Sequence, residues 1–178
     1  MTVQFSHERG TSALADLRIE DVVRLLMQAN LRALPAEAKE TVVARQLSSV
    51  LAEIPEASKR TAIGVDGSTR KPDDARLLPA VAGLGPLALA IEYKLYRERK
   101  QAAGEMDRAL GQCAAYAEKY DAVLFFVVYM GAPRDPIPAH WLDRTVPFRV
   151  GHRSPGVPIY FAARPRSWDE PWATQFAR

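Results

Sequence analysis

The chain has 178 residues, 48% of them hydrophobic and 25% charged, ordinary composition for one folded core and scarcely enough length for two. A single cysteine, Cys113, excludes an internal disulfide and any metal cluster that needs several thiolates from this chain. A net charge of +3 and a pI near 9.1 accord with a nucleic-acid partner without requiring one. No apolar run approaches the roughly 18 to 20 residues that span a bilayer, and the N-terminal MTVQFSHERG lacks a secretory layout. A cytoplasmic protein with no membrane partner is therefore expected.

From Leu14 to Leu31 apolar residues recur at helical spacing, and a second helix is expected from Ala36 to Ile54, with Val43, Leu47, Val50 and Leu51 on one face and Pro55 as its stop. The next stretch, RTAIGVDGSTRKPDDARLLPAV, reads as short strands around the turn Asp66-Gly67-Ser68. LALAIEYKL follows as an apolar run of strand length with its polar residues at the far end. Residues 102–120 carry a helical stripe of Met106, Leu110, Cys113 and Ala117, with Arg108, Gln112 and Tyr116 flanking it at i, i+4 steps. AVLFFVVYM reads as a buried central strand, joined to the preceding one by a helix and so parallel to it through a right-handed crossover. The Pro- and Arg-rich tail from Gly131 holds one more strand-like piece, VPIYFAA. The expected organisation is α/β: one domain over 1–178, with a helical lead-in at 11–35, a core of about 36–130 and a C-terminal extension at 131–178.

Strand alternation puts Glu92 and Lys94 on one face above Ala88 and Ala90, which leave room for something to approach. RKPDDARLL supplies Asp73 and Asp74 in the neighbouring strand. Two adjacent carboxylates repel unless a cation lies between them, and oxygen-only ligation suits Mg²⁺ or Mn²⁺. Alternation points the two aspartates to opposite faces; Pro72 favours Asp73 as the ligand, with Asp74 the alternative.

With these residues assembled, the chain resembles the PD-(D/E)XK nuclease superfamily of restriction-endonuclease-like fold. Pro72-Asp73 stands for the PD element, Glu92-Tyr93-Lys94 for E-x-K, and Gln112 to Tyr116 for the Q-x-x-x-Y signature of RecB-like members. The resemblance implies a core of helix, three-strand meander, helix and strand in a mixed sheet flanked by helices. It also implies a Mg²⁺- or Mn²⁺-dependent deoxyribonuclease, with DNA the expected nucleic-acid partner. Asp73, Glu92 and the Tyr93 carbonyl would bind the metal, Lys94 would orient the attacking water, and Gln112 and Tyr116 would touch nucleic acid or support Lys94. Some members add a carboxylate from the first core helix. Here Glu40 lies within about 20° of the apolar stripe's centre and Glu53 about 100° off it, so Glu40 is either a metal ligand or a first-turn residue favouring the helix dipole.

Arg97, Arg99 and Lys100 are candidates for phosphate contact beside the site, as is Arg108; a solvated loop is the other reading of the first three. His140, Trp141 and His152 lack metal-ligand spacing, Cys113 reads as buried packing, and Trp168 and Trp172 as pins for the tail. So small a chain leaves little surface for reading base sequence, which points to weakly specific cleavage or to help from a homodimer or partner protein. The alternative is a nuclease-fold binding or assembly module without catalysis.

Overall fold

The computed structural model describes residues 7–64, 66–80, 83, 85–97, 99–132, 145–146, 149–150, 157 and 159–176, with side chains from Arg18 onward except those of Arg99 to Ala103, Met106, 145–146, 149–150 and the last two of these residues. In chain order it contains α1 (His7–Gln28), α2 (Glu40–Ser49), β1 (Ala62–Ile63), β2 (Thr69–Arg70), β3 (Asp74–Leu78), β4 (Leu87–Tyr96), α3 (Arg99–Tyr116), β5 (Ala122–Tyr129), β6 (Thr145–Val146), β7 (Arg149–Val150) and β8 (Ile159–Pro165), then a short 3₁₀ turn, Ala173–Phe176. The main sheet is mixed, in the order β3-β4-β5-β8-β7-β6. β3 runs antiparallel to β4, and β4, β5 and β8 run parallel to one another. The chain is thus α/β, with the expected parallel β4-α3-β5 unit.

Why the layers form is visible in the side chains. Ile19, Val22, Val23 and Leu26 line one face of α1, and Val43 and Leu47 one face of α2. They pack with Leu89, Ile91 and Tyr93, the odd-numbered face of β4. Ala109, Cys113 and Tyr116 of α3 cover the opposite face with Ala88 and Ala90. All eight residues of β5 are buried, as a strand with neighbours on both sides and helices on both faces must be.

Several expectations are revised. The second helix is shorter than its apolar pattern: i→i−3 bonds at Val50, Leu51, Ala52 and Ile54 replace α geometry, so turns complete the stretch to Pro55. β1 and β2 form the expected hairpin, with Gly67 at φ 75° where a side chain would be strained, but they make a separate two-stranded sheet and only β3 joins β4. In place of a three-strand meander there are two separate antiparallel pairs, β1–β2 and β3–β4. Nor are the alanines an open floor, because α3 fills the space above them. β8, from the expected extension, lies inside the sheet, and α1 is a layer of the core rather than a lead-in. From Arg18 onward, the apolar face of α1 is covered by its own sheet, leaving Glu20, Asp21, Arg24 and Gln28 exposed. Among the described residues no helix is long and apolar enough to cross a membrane. His140, Trp141 and His152 lie outside the described residues. Trp168 donates to the Met27 carbonyl at 3.0 Å and Trp172 packs on the α3 side, as pins would.

Candidate functional site

The two aspartates at the start of β3 separate as alternation requires. Asp74 turns to the α2 face, where Arg76 grips it with two hydrogen bonds of 3.0 Å and Ser48 donates to it at 2.6 Å. The same guanidinium donates to the carbonyls of Ser48, Leu51 and Ile54, in the turns that close the end of α2. Asp74 is thus a structural residue, and the alternative that made it the ligand is set aside. Asp73 takes the other face. The β3–β4 register pairs Asp74 with Ile91, so one further step sets Asp73 opposite Glu92, and the Tyr93 amide donates to Asp73 Oδ2 at 2.8 Å.

Glu92 is 4% exposed. Lys94 Nζ lies 3.0 Å from its Oε1 and 2.9 Å from Glu40 Oε1, so the lysine bridges β4 and the first residue of α2. Glu40 therefore reaches the site, but as a half-exposed partner of Lys94 rather than an inward group on the stripe. The Tyr116 hydroxyl lies 3.0 Å from the Lys71 carbonyl and 3.3 Å from Glu92 Oε2; with one proton, it donates to one at a time. An amide oxygen facing a carboxylate would repel it, so Gln112 turns its nitrogen to Glu92 Oε1 at 2.8 Å. Its oxygen then accepts from Arg70 Nε and Nη1 at 3.1 and 2.8 Å. Arg70, Gln112 and Glu92 form a chain of hydrogen bonds from the β1–β2 hairpin to the centre of the site. Nothing in the two-residue β2 announces Arg70 in sequence; only its place three residues before Asp73 hints at proximity.

Lys94, Gln112, Arg70 and Glu40 line a cleft of about 250 Å³ together with Glu105, Arg108 and Ala109; Asp73 and Glu92 lie behind this lining rather than in it. Arg108 stands where a phosphate contact was expected. Arg97 instead donates to the carbonyls of Ala36 and Ala38. The side chains of Arg99 and Lys100 lie outside the described residues.

The electrostatics follow from burial and crowding. Glu92 is pushed up to about 7, first by burial and then by the negative charge of Asp73, against the pull of Lys94 and Tyr116. Asp73 is also raised: it is exposed as a residue, but desolvation of its inward carboxylate oxygen outweighs the Tyr93 amide bond. Burial works against the Lys94 cation, yet Glu92 and Glu40 outweigh it and hold the ammonium above its usual range. Burial, and then Glu92, raise the Tyr116 hydroxyl, which stays protonated. Cys113 is fully buried and its thiol is raised by burial, in keeping with a packing role.

A consequence for stability can be measured. Between the ordinary 4.5 of Glu92 and about 7, the native metal-free protein holds a proton that the unfolded chain has released, so stability falls as pH rises through that window. Asp73, also raised, acts in the same direction. Thermal unfolding from pH 4.5 to 8 should show a steeper decline for the wild type than for Glu92→Gln. Parallel curves would mean that Glu92 is not the titrating group.

Asp73 and Glu92, close enough that Asp73 adds to the rise that burial gives Glu92, are hard oxygen donors that fit Mg²⁺ or Mn²⁺. Among the described residues no group of three or more His, Cys, Asp or Glu is gathered to hold a metal ion, so a bound ion would keep part of its shell for water or phosphate. No family model, no curated protein and no solved structure matches the chain.

Proposed function

We propose that this chain is a divalent-metal-dependent nuclease that hydrolyses phosphodiester bonds, with DNA as its substrate. The observation that carries the reading is the buried Glu92, raised to about 7 by its burial and by the neighbouring charge of Asp73, and held 3.0 Å from Lys94, which lines the cleft. The motif order shared with PD-(D/E)XK nucleases supports it.

Asp73, Glu92 and the Tyr93 carbonyl would hold Mg²⁺ or Mn²⁺, which supplies Lewis-acid polarisation of a phosphoryl oxygen and a more acidic bound water. Lys94, already protonated, does not accept the water's proton; it positions the attacking oxygen and offsets charge developing on the phosphate. Glu40 and Glu92 fix the ammonium between them, and Gln112 and Tyr116 fix Glu92. Arg70 and Arg108 give the cleft wall positive charge for the flanking phosphates.

Supercoiled plasmid, single-stranded DNA and RNA, each incubated with Mg²⁺, Mn²⁺ or a chelator, test the reading. Cleavage of DNA that needs the ion and disappears in Glu92→Ala is the expected result. Nucleic acid left intact in every reaction, or cut equally by wild type and variant, overturns it.

A further inference from the structure

A second concave site of about 250 Å³ lies where the C-terminal end of β8 meets the loop after α1, lined in part by Asn30, Arg32, Arg164, Arg166, Trp168 and Asp169. Of its three arginines, Arg32 pairs with Asp169 and Arg166 with Glu170, so Arg164 leaves the wall with one excess positive charge. Arg164 is 1% exposed and directs its N–H groups to the carbonyls of Leu26, Ala29, Pro165 and Arg166, without a carboxylate among the described residues. Arg166 donates to the Leu34 carbonyl at 2.7 Å and pairs with Glu170 at 3.3 Å, but its Nε is buried with no hydrogen-bond partner. The charge of Arg164, neutralised by no described carboxylate, favours an anion at this wall. Arg32 meets Asp169 at 3.0 Å, with both side chains more than two-thirds exposed, a pair that an entering anion can displace. Trp168 adds a planar apolar surface: the Arg164 guanidinium lies 5.8 Å from its ring centroid, its N–H is fixed on Met27, and the residue is 44% exposed.

We propose that this cavity binds a nucleotide, its phosphate held by Arg32 and Arg166 and its base stacked on Trp168. Cationic groups beside a fixed aromatic surface are the combination that takes a phosphate and a base together. The sheet supports the placement. Tyr96, Tyr129 and Pro165 are paired in register at the C-terminal ends of the parallel strands, so cavity and cleft lie toward the same end of the sheet, on strands two spacings apart. Lys94 and Arg164 occupy opposite faces there, so the two sites are separate. The choice of a nucleotide over another aromatic anion rests on the nuclease reading of the cleft.

The chain has three tryptophans, so the Trp168 indole N–H resonance is the one lost in Trp168→Phe. In the presence of chelator, deoxyadenosine monophosphate and a short single-stranded DNA should each shift it, and adenosine or inorganic phosphate alone should bind about tenfold more weakly or worse. Arg32→Glu should weaken nucleotide binding by about tenfold or more, and Arg32→Lys by less. Glu92→Ala should leave the shift intact, so loss of the cleft reading through normal cleavage by that variant is seen separately from loss of this one. A response to the mononucleotide but not to the oligonucleotide identifies a free nucleotide as the ligand; a response to both identifies a strand. An unmoved Trp168 resonance at millimolar nucleotide, an equal shift in Arg32→Glu, or equal affinity for phosphate or adenosine alone overturns the proposal.

Discussion

Glu92→Gln is expected to lower DNA cleavage by about 10³-fold or more, and Lys94→Ala by about 10² to 10³-fold, the scale seen when one preorganised charge is removed from a transition state. The two losses should differ in kind. Glutamine keeps the shape of Glu92 and much of its bonding to Tyr116 but removes the charge that a divalent ion requires, so no pH restores activity. Alanine at 94 removes the cation that draws Glu92 toward ionisation, leaving burial and Asp73 to raise it further. Part of the Lys94→Ala loss should therefore be recovered as pH rises from 7 to 9, while Glu92→Gln stays flat. Rates measured at a fixed, subsaturating Mg²⁺ concentration across that range separate them, and a Lys94→Ala profile parallel to the wild type would remove the lysine's electrostatic role.

The second large effect lies on the opposite face of the sheet. Arg76→Met should destabilise the protein by about 3 to 5 kcal/mol, because it leaves the Asp74 carboxylate buried without its cation and strips donors from the carbonyls ending α2. At about 2 to 4 °C per kcal/mol for a chain of this size, the melting temperature should fall by about 10 °C. Asp74→Leu combined with Arg76→Met should cost much less than the single change, since no charge is then stranded. Thermal or urea unfolding of the three proteins gives the comparison; a double variant less stable than Arg76→Met would contradict a buried ion pair as the source. The network also serves the site, for by holding Asp74 on the α2 face it sends Asp73 to the face of Glu92.

Much of this was legible in the sequence because strand alternation is local. It put Glu92 with Lys94, parted Asp73 from Asp74, and the crossover through α3 made β4 and β5 parallel. Gln112 and Tyr116 reach Glu92 from successive turns of α3, as their i, i+4 spacing allows. What escaped depends on tertiary placement. Helical angle alone turned Glu40 inward, whereas its position at the first residue of α2 lets it reach out to Lys94. The two residues of β2 carry no periodicity, so Arg70 gave no sign of its hold on Gln112. β8 looked like part of a tail because nothing in VPIYFAA says which strand it pairs with; the eight buried residues of β5 supply the reason it is needed.

Calorimetric titration of Mg²⁺ into the metal-free protein at pH 7, repeated in buffers of different ionisation enthalpy, tests most directly whether Asp73 and Glu92 form a cation site. With Glu92 near its midpoint, binding should release about half a proton per ion, rising at pH 6 and vanishing above pH 8.5. Both the binding and the release should be lost in Asp73→Asn combined with Glu92→Gln. An ion bound without proton release, or bound equally well by that double variant, would contradict the account.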